Sequence, residues 1–187
     1  KKNLTYSIFC DKFIHARLNM ADVLENAKKQ GRLPLRVIHG DPKLNNILFD
    51  RRSREAVSII DLDTVKPGLI HYDIGDCLRS CCNTEKEDSE TAHFDLDICA
   101  IILKSYLSET QTFFRRYDYD YLFDSIKLIP FELGIRFYLD YLEGNRSFKT
   151  HEPDQNLYRA KTQFHLLESI EHQGAPIRKL ITQMRTR

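Results

Sequence analysis

Three side chains within a short span of this chain have the types and spacing that phosphoryl transfer requires. Asp41 stands in His39-Gly40-Asp41-Pro42-Lys43-Leu44-Asn45-Asn46, and Asn46 follows it by five positions. Asp61, in Ile60-Asp61-Leu62-Asp63, comes twenty positions after Asp41. Magnesium wants near-octahedral oxygen coordination and gives up its waters reluctantly, so a protein offers it one or two side-chain oxygens and leaves the rest to substrate phosphates. Asn46 and Asp61 make an offer of that size. Asp41 is then the group that accepts the proton of a hydroxyl attacking a γ-phosphorus. An ordinary carboxylate suffices for that, because in a loose transition state alignment and charge neutralisation supply most of the rate.

For the three groups to act together, the elements around them must fold the chain back on itself. Arg36-Val37-Ile38 reads as a short strand, from which His39 to Asn45 emerges as a loop. Asn46-Ile47-Leu48-Phe49 and Ala56-Val57-Ser58-Ile59-Ile60 read as two further strands, joined by the charged turn Asp50-Arg51-Arg52-Ser53-Arg54-Glu55. A hairpin returns its second strand beside the start of its first, which predicts Asn46 next to Asp61 with Asp41 just ahead of both. His39 is expected to fix this loop by hydrogen bonding and not to act as acid or base. Asp-Pro and Asn-Asn are common turn dipeptides, so a structural turn cluster is the competing explanation. The five-residue offset, the hairpin pattern and the apolar strand ending in Asp-Leu-Asp favour chemistry jointly.

The block from Leu35 to Arg79 resembles the aminoglycoside phosphotransferase and choline kinase superfamily, whose motif is H-x-D, an Asn five positions after the Asp, and then I-D-x-D. Asn45–Asp50, Ile60–Gly68, Tyr72-Asp73-Ile74-Gly75-Asp76 and the later Glu132–Asn145 are similar to the N-acetylhexosamine 1-kinase branch. The resemblance implies a catalytic base at Asp41, magnesium ligands at Asn46 and Asp61, and a place near substrate or metal for Asp63. It implies that Asp73 braces the catalytic loop, and that Arg136 and Tyr141 contact the sugar. Pro42-Lys43-Leu44 departs from the filler frequent in that superfamily, and no role is assigned to these residues.

The fold that follows is α+β and mainly α-helical, a protein-kinase-like C-terminal lobe carrying a catalytic β-hairpin. The chain has no G-x-G-x-x-G loop, no Walker-type loop and no Lys in a V-A-I-K context ahead of His39. In the resembling kinases those features belong to an N-terminal lobe. Residues 1–187 are therefore expected to be the C-terminal lobe alone, inactive without its N-terminal partner. The resemblance implies an ATP- and Mg2+-dependent phosphotransferase acting on an alcohol group, with the anomeric hydroxyl of an N-acetylhexosamine as the leading acceptor. An aminoglycoside, choline, homoserine or another sugar is the alternative, and a non-catalytic kinase-like binding domain is the third possibility.

Composition is that of an ordinary globular domain: 187 residues, 42% hydrophobic and 29% charged, with a net charge of +1. Such a charge gives no argument for nucleic acid or an anionic membrane as partner. No run is apolar enough to span a bilayer, and the start Lys1–Tyr6 lacks the apolar core of a signal peptide, so a cytoplasmic location is expected. The five cysteines, Cys10, Cys77, Cys81, Cys82 and Cys99, have no C-x-x-C spacing and read as reduced, buried thiols.

The remaining sequence reads as helices. Phe13 to Lys29 has near-helical apolar spacing, stopped by Gly31 and Pro34. Another helix begins at Asp73, and Asp95 to Ser108 is apolar enough to be buried on more than one side. Tyr119 to Glu143 is expected to be interrupted or bent near Pro130, and Gln155 to His172 forms a third long helix. Asn83 to Glu90 reads as a solvated, charged connector that could border the acceptor pocket. Gly174 to Arg187 is basic and reads as a solvated, fraying end.

Overall fold

The computed structural model describes residues 6–89 and 91–185. The opening Lys1–Thr5, Glu90 of the charged connector and Thr186–Arg187 of the basic end lie outside the described residues. Helices α1 (Ile8–His15) and α2 (Val23–Lys29) precede strand β1 (Arg36–Ile38), and the chain continues through a 3-10 turn at Leu44–Asn46 into β2 (Ile47–Phe49) and β3 (Ala56–Ile59). A second 3-10 turn, Leu62–Thr64, leads to β4 (Lys66–Gly68). Five helices follow: α3 (Ile70–Cys81), α4 (Leu96–Thr110), the short α5 (Arg116–Asp120), α6 (Leu122–Leu142) and α7 (Gln155–His172), with α8 (Gly174–Arg185) closing the described chain. The architecture is thus mainly helical, with two small antiparallel sheets.

The expected hairpin is present. β2 and β3 pair antiparallel, Ile47 opposite Ile59 and Leu48 opposite Ser58, with an irregularity before Phe49. The turn between them is held by Asp50, whose Oδ1 accepts from the backbone N–H of Arg52 and of Ser53, each at 2.8 Å. The second sheet joins β1 to β4, Val37 opposite Pro67, and so ties the approach to the loop to the segment leaving the hairpin. Arg36 anchors β1 from below. Its guanidinium meets the buried Asp118 carboxylate at 3.2 and 3.1 Å and the Phe113 carbonyl at 2.7 Å.

Several helical expectations need correction. Phe13–Lys29 is not one helix: α1 ends at His15, and a 3-10 turn at Leu18–Met20 separates it from α2. The break lets Arg17 lie 3.8 Å over the Phe13 ring and grip Glu171 of α7 at 2.7 Å. α3 starts at Ile70, before Asp73, because the extended Leu69 at its N-cap ends β4's path. α6 runs through Pro130, with the interruption at Tyr121 instead. Packing of α6 on both flanks outweighs the one N–H that proline removes. The basic end is not a solvated tail over its described part: Ile177 and Ile181, one turn apart, are buried in the core and hold α8 in place.

α6 is the central element. It contributes Leu122, Phe123 and Ile126 to one apolar cluster with α3, α4 and α8, and Leu128, Phe131, Phe137 and Tyr141 to a second with α1, α2 and α7. α3 crosses it at Gly75, where an added Cβ would lie 2.6 Å from Ile129 Cγ1 and 2.9 Å from the Ser125 carbonyl oxygen. All five cysteines are free. Cys10, Cys82 and Cys99 are buried as expected, whereas Cys77 and Cys81 are only partly so.

Candidate active site

The loop from His39 to Asn45 is held by hydrogen bonds from three directions. Asp73, in the first turn of α3, accepts from the His39 N–H at 2.7 Å through Oδ2 and from the Gly40 N–H at 2.9 Å through Oδ1. Thr64 Oγ1 donates to the His39 carbonyl at 2.7 Å. His39 Nε2 lies 3.0 Å from the Ile60 carbonyl, which can only accept, so Nε2 carries the hydrogen and Nδ1 is free to accept from the Asp41 N–H at 3.3 Å. One tautomer satisfies both bonds. Gly40 has φ +87°, and a Cβ there would stand 2.8 Å from the Thr64 carbonyl oxygen, so the close approach of loop to turn needs glycine.

Asp41, Asn46 and Asp61 converge. Asn46 is 5% exposed, and its Nδ2 faces the Asp41 carbonyl at 2.8 Å, Asp41 Oδ2 at 3.1 Å and, most loosely, Asp61 Oδ2 at 3.4 Å. The backbone closes the same point, because the Ile60 N–H donates to the Asn46 carbonyl at 2.9 Å. Asp61 is exposed and adopts left-handed backbone angles, φ 64° and ψ 52°, uncommon for a residue with a side chain. Among the described residues no three His, Cys, Asp or Glu side chains cluster as a metal site. One amide and one carboxylate nevertheless match the small oxygen offer that suits magnesium.

Asp41 opens onto a cleft of about 940 Å³ between the loop, α2, α3, α6 and α7. Lys43, to which the sequence argument gave no role, also lines it, with Nζ 2.5 Å from Asp41 Oδ2. Arg136 lines the cleft, its guanidinium 5.5 Å over the Phe148 ring. Tyr141 does not reach it. At 2% exposure it is packed in the second core cluster beside Tyr138, because this turn of α6 faces the interior, so the expected sugar contact is corrected. Asp63 is exposed on the Leu62–Thr64 turn; its neighbour Thr64 lines the cleft, and Asp63 itself does not. Glu87 of the charged connector does border the cleft, paired with Arg159 of α7 at 3.2 Å.

The model of the phosphotransferase enzyme family, APH, matches residues 10–99. This part of the chain is similar to the phosphotransferase enzyme family. The match takes in the loop from His39 to Asn45, the hairpin, Asp73 and the whole of α3, while Arg136 and Tyr141 lie beyond it. That similarity gives phosphoryl transfer as the chemistry to weigh against the geometry.

Another titrating group borders the site, and one lies behind it on α3. Glu132, on the cleft wall, has its carboxyl pushed up by burial, against the opposing pull of Arg136. On α3, the Cys81 thiol is brought down to about 7 by a hydrogen bond from Cys77, with Arg79 adding to the effect. Among the described residues, no helix is long and apolar enough to cross a membrane.

Proposed function

We propose that the protein is an ATP- and magnesium-dependent small-molecule kinase, and that the described fold is the C-terminal, acceptor-binding lobe of a kinase-like enzyme. The observation that carries this is the single hydrogen-bonded group formed by Asp41, Asn46 and Asp61 at the rim of a cleft that Asp41 lines. In the proposed reaction the acceptor oxygen bonds to the γ-phosphorus as the bond to the β,γ-bridging oxygen breaks, its electrons leaving with ADP. The hydroxyl proton passes to Asp41. Asn46 and Asp61 would hold magnesium, which when bound neutralises phosphate charge. Asp73 and His39 keep Asp41 at its post, and Asp63 stands near the phosphates or metal.

The lobe reading draws support from the hairpin. Val37, Leu48, Phe49, Val57 and Ile59 are 45% to 76% exposed, an apolar concentration on two-stranded sheets that would be only marginally stable unaided. An N-terminal lobe closing over a nucleotide would cover it.

For the acceptor, an N-acetylhexosamine phosphorylated at its anomeric hydroxyl remains the leading proposal. The cleft wall carries Lys66, Arg136 and Lys149, none with an ion-pair partner within 4.0 Å among the described residues. That charge favours a neutral sugar over a polycationic aminoglycoside or choline. The test is to express the protein with whatever precedes Lys1 in its reading frame, supply magnesium ATP with N-acetylglucosamine or N-acetylgalactosamine, and follow the products by phosphorus NMR. A new anomeric phosphate signal, absent with Asp41→Ala, is the expected result. Undiminished turnover by Asp41→Ala would remove Asp41 from the mechanism.

A further inference from the structure

Asp140 is 3% exposed on α6 and does not line the cleft, yet its carboxylate gathers four donors. Oδ1 accepts from the backbone N–H of Arg146 at 2.9 Å and of Ser147 at 2.7 Å; Oδ2 accepts from the Phe148 N–H at 3.1 Å and from Asn156 Nδ2 at 2.8 Å. Burial opposes its charge, but the N–H groups of Ser147, Phe148 and Arg146 outweigh that and hold the carboxyl below its ordinary range. The Asn145 N–H also returns to the Asp140 carbonyl at 2.8 Å. A single buried carboxylate thereby organises residues 145–148, just past the point where Gly144 and Asn145 turn the chain with φ of +91° and +59°.

Asn156 extends the clasp to the next helix. Its Nδ2 also donates to Asn145 Oδ1 at 3.0 Å, and its Oδ1 accepts from Arg159 Nη1 at 3.0 Å. The same Arg159 nitrogen donates to the Lys149 carbonyl at 3.0 Å. What this network delivers is a wall of the cleft. Phe148 sits 4.7 Å from Phe137, Arg136 lies over Phe148, Arg159 lies 5.6 Å from the Phe137 ring, and all of these face the cleft together with Lys149 and Asp41.

We propose that Asp140 and Asn156 are positioning residues for acceptor recognition, holding the 144–149 segment so that Phe148 and Lys149 form a preset wall across the cleft from Asp41. The proposal rests on the kinase reading above. A rigid wall lowers the ordering cost of binding the acceptor, so its loss weakens acceptor binding without altering alignment at Asp41.

The test compares the wild-type protein with Asp140→Asn, Asn156→Ala and Phe148→Ala, using N-acetylglucosamine and ATP as variable substrates. Each variant is expected to raise the acceptor KM by about tenfold while kcat and the ATP KM change by less than about twofold. Phe148→Ala leaves the buried carboxylate untouched, so it reports on the wall even where Asp140→Asn folds poorly. Equal losses in kcat with the acceptor KM unchanged, or no change at all, would overturn the proposal. Amide hydrogen exchange separates it from the kinase reading: in Asp140→Asn the N–H groups of Arg146, Ser147 and Phe148 should lose protection while α6 and α7 keep theirs. Unaltered protection there would overturn the positioning role even in an active enzyme. A wild-type protein that carries whatever precedes Lys1 in its reading frame and is still inert toward every acceptor would sink the kinase reading, and acceptor recognition with it.

Discussion

Lys43 Nζ lies 2.5 Å from Asp41 Oδ2, so the carboxylate proposed to take the acceptor proton already carries a cation on one oxygen. Asn46 Nδ2 uses the same oxygen at 3.1 Å, which leaves Oδ1 for the acceptor hydroxyl. A lysine there can also swing toward phosphoryl oxygens as charge builds on them. Lys43→Met should therefore lower kcat by about 100-fold, the scale of losing one well-placed electrostatic donor, with a much smaller change in acceptor KM. Steady-state kinetics would check this; an unchanged kcat would reduce the contact to an ordinary partly exposed ion pair.

Asn46 and Asp61 are proposed to share one ion. Asn46→Ala and Asp61→Asn should each raise the magnesium concentration giving half-maximal rate by at least about tenfold, since each removes or weakens one of only two protein ligands. A magnesium titration of the rate measures it. An unshifted curve for either variant would take that residue out of the metal site.

The loop itself should be sensitive to its backbone contacts. Gly40→Ala places a side chain at φ +87° against the Thr64 carbonyl, and the left-handed geometry alone costs about 1 to 2 kcal/mol. Asp73→Ala strips the acceptors from the His39 and Gly40 N–H groups, costing about 2 kcal/mol. Urea denaturation gives both values, and both variants should lose activity beyond what their stability explains.

His71 predicts an acid-side weakness. Burial lowers its pKa below the ordinary 6.5, with the Asp118 carbonyl and carboxylate pulling the other way and Arg36 adding to the lowering. Nε2 sits 2.9 Å from the Asp118 carbonyl and Nδ1 is buried without a partner, so a second proton has no acceptor. As pH falls below 6.5 the unfolded chain binds that proton and the native state does not, so stability declines toward acid by up to about 1.4 kcal/mol per pH unit until the folded-state pKa is reached. Urea midpoints of wild type and His71→Gln between pH 7 and 5 should converge; parallel curves would show that His71 takes up its proton equally in the folded and unfolded chains.

Cys81 should be the first thiol to be alkylated. With its pKa brought to about 7 and its side chain partly exposed, its labelling rate should rise through neutral pH and level off above it. Cys10, Cys82 and Cys99, buried, should stay unlabelled in the native state. Peptide mapping after brief iodoacetamide treatment at several pH values distinguishes them.

The parts of this molecule that were legible in the sequence are those whose contacts are local. Asp41, Asn46 and Asp61 lie within one loop and one hairpin, and alternating apolar residues around a charged turn are enough to bring them together. The break between α1 and α2 was hidden because the contact it permits, Arg17 to Glu171, spans 154 positions. α8 was hidden by its basic residues: only Ile177 and Ile181 are buried, and that spacing alone does not announce a helix. Tyr141 was misread because α6 is buried on several sides, leaving no polar stripe to show which turn faces the cleft. The wall at Phe148 and Lys149 had no motif at all, since it exists only where Asp140 folds the chain beside α7.

Asp61 keeps its carboxylate on a backbone conformation that glycine or asparagine would adopt with less strain. Heat resistance and turnover therefore pull this position in opposite directions. A library screened for thermal survival alone should drift toward Gly or Asn at 61 and, on the proposed function, yield sturdier, inert proteins, so any attempt to harden this protein has to hold that one codon fixed.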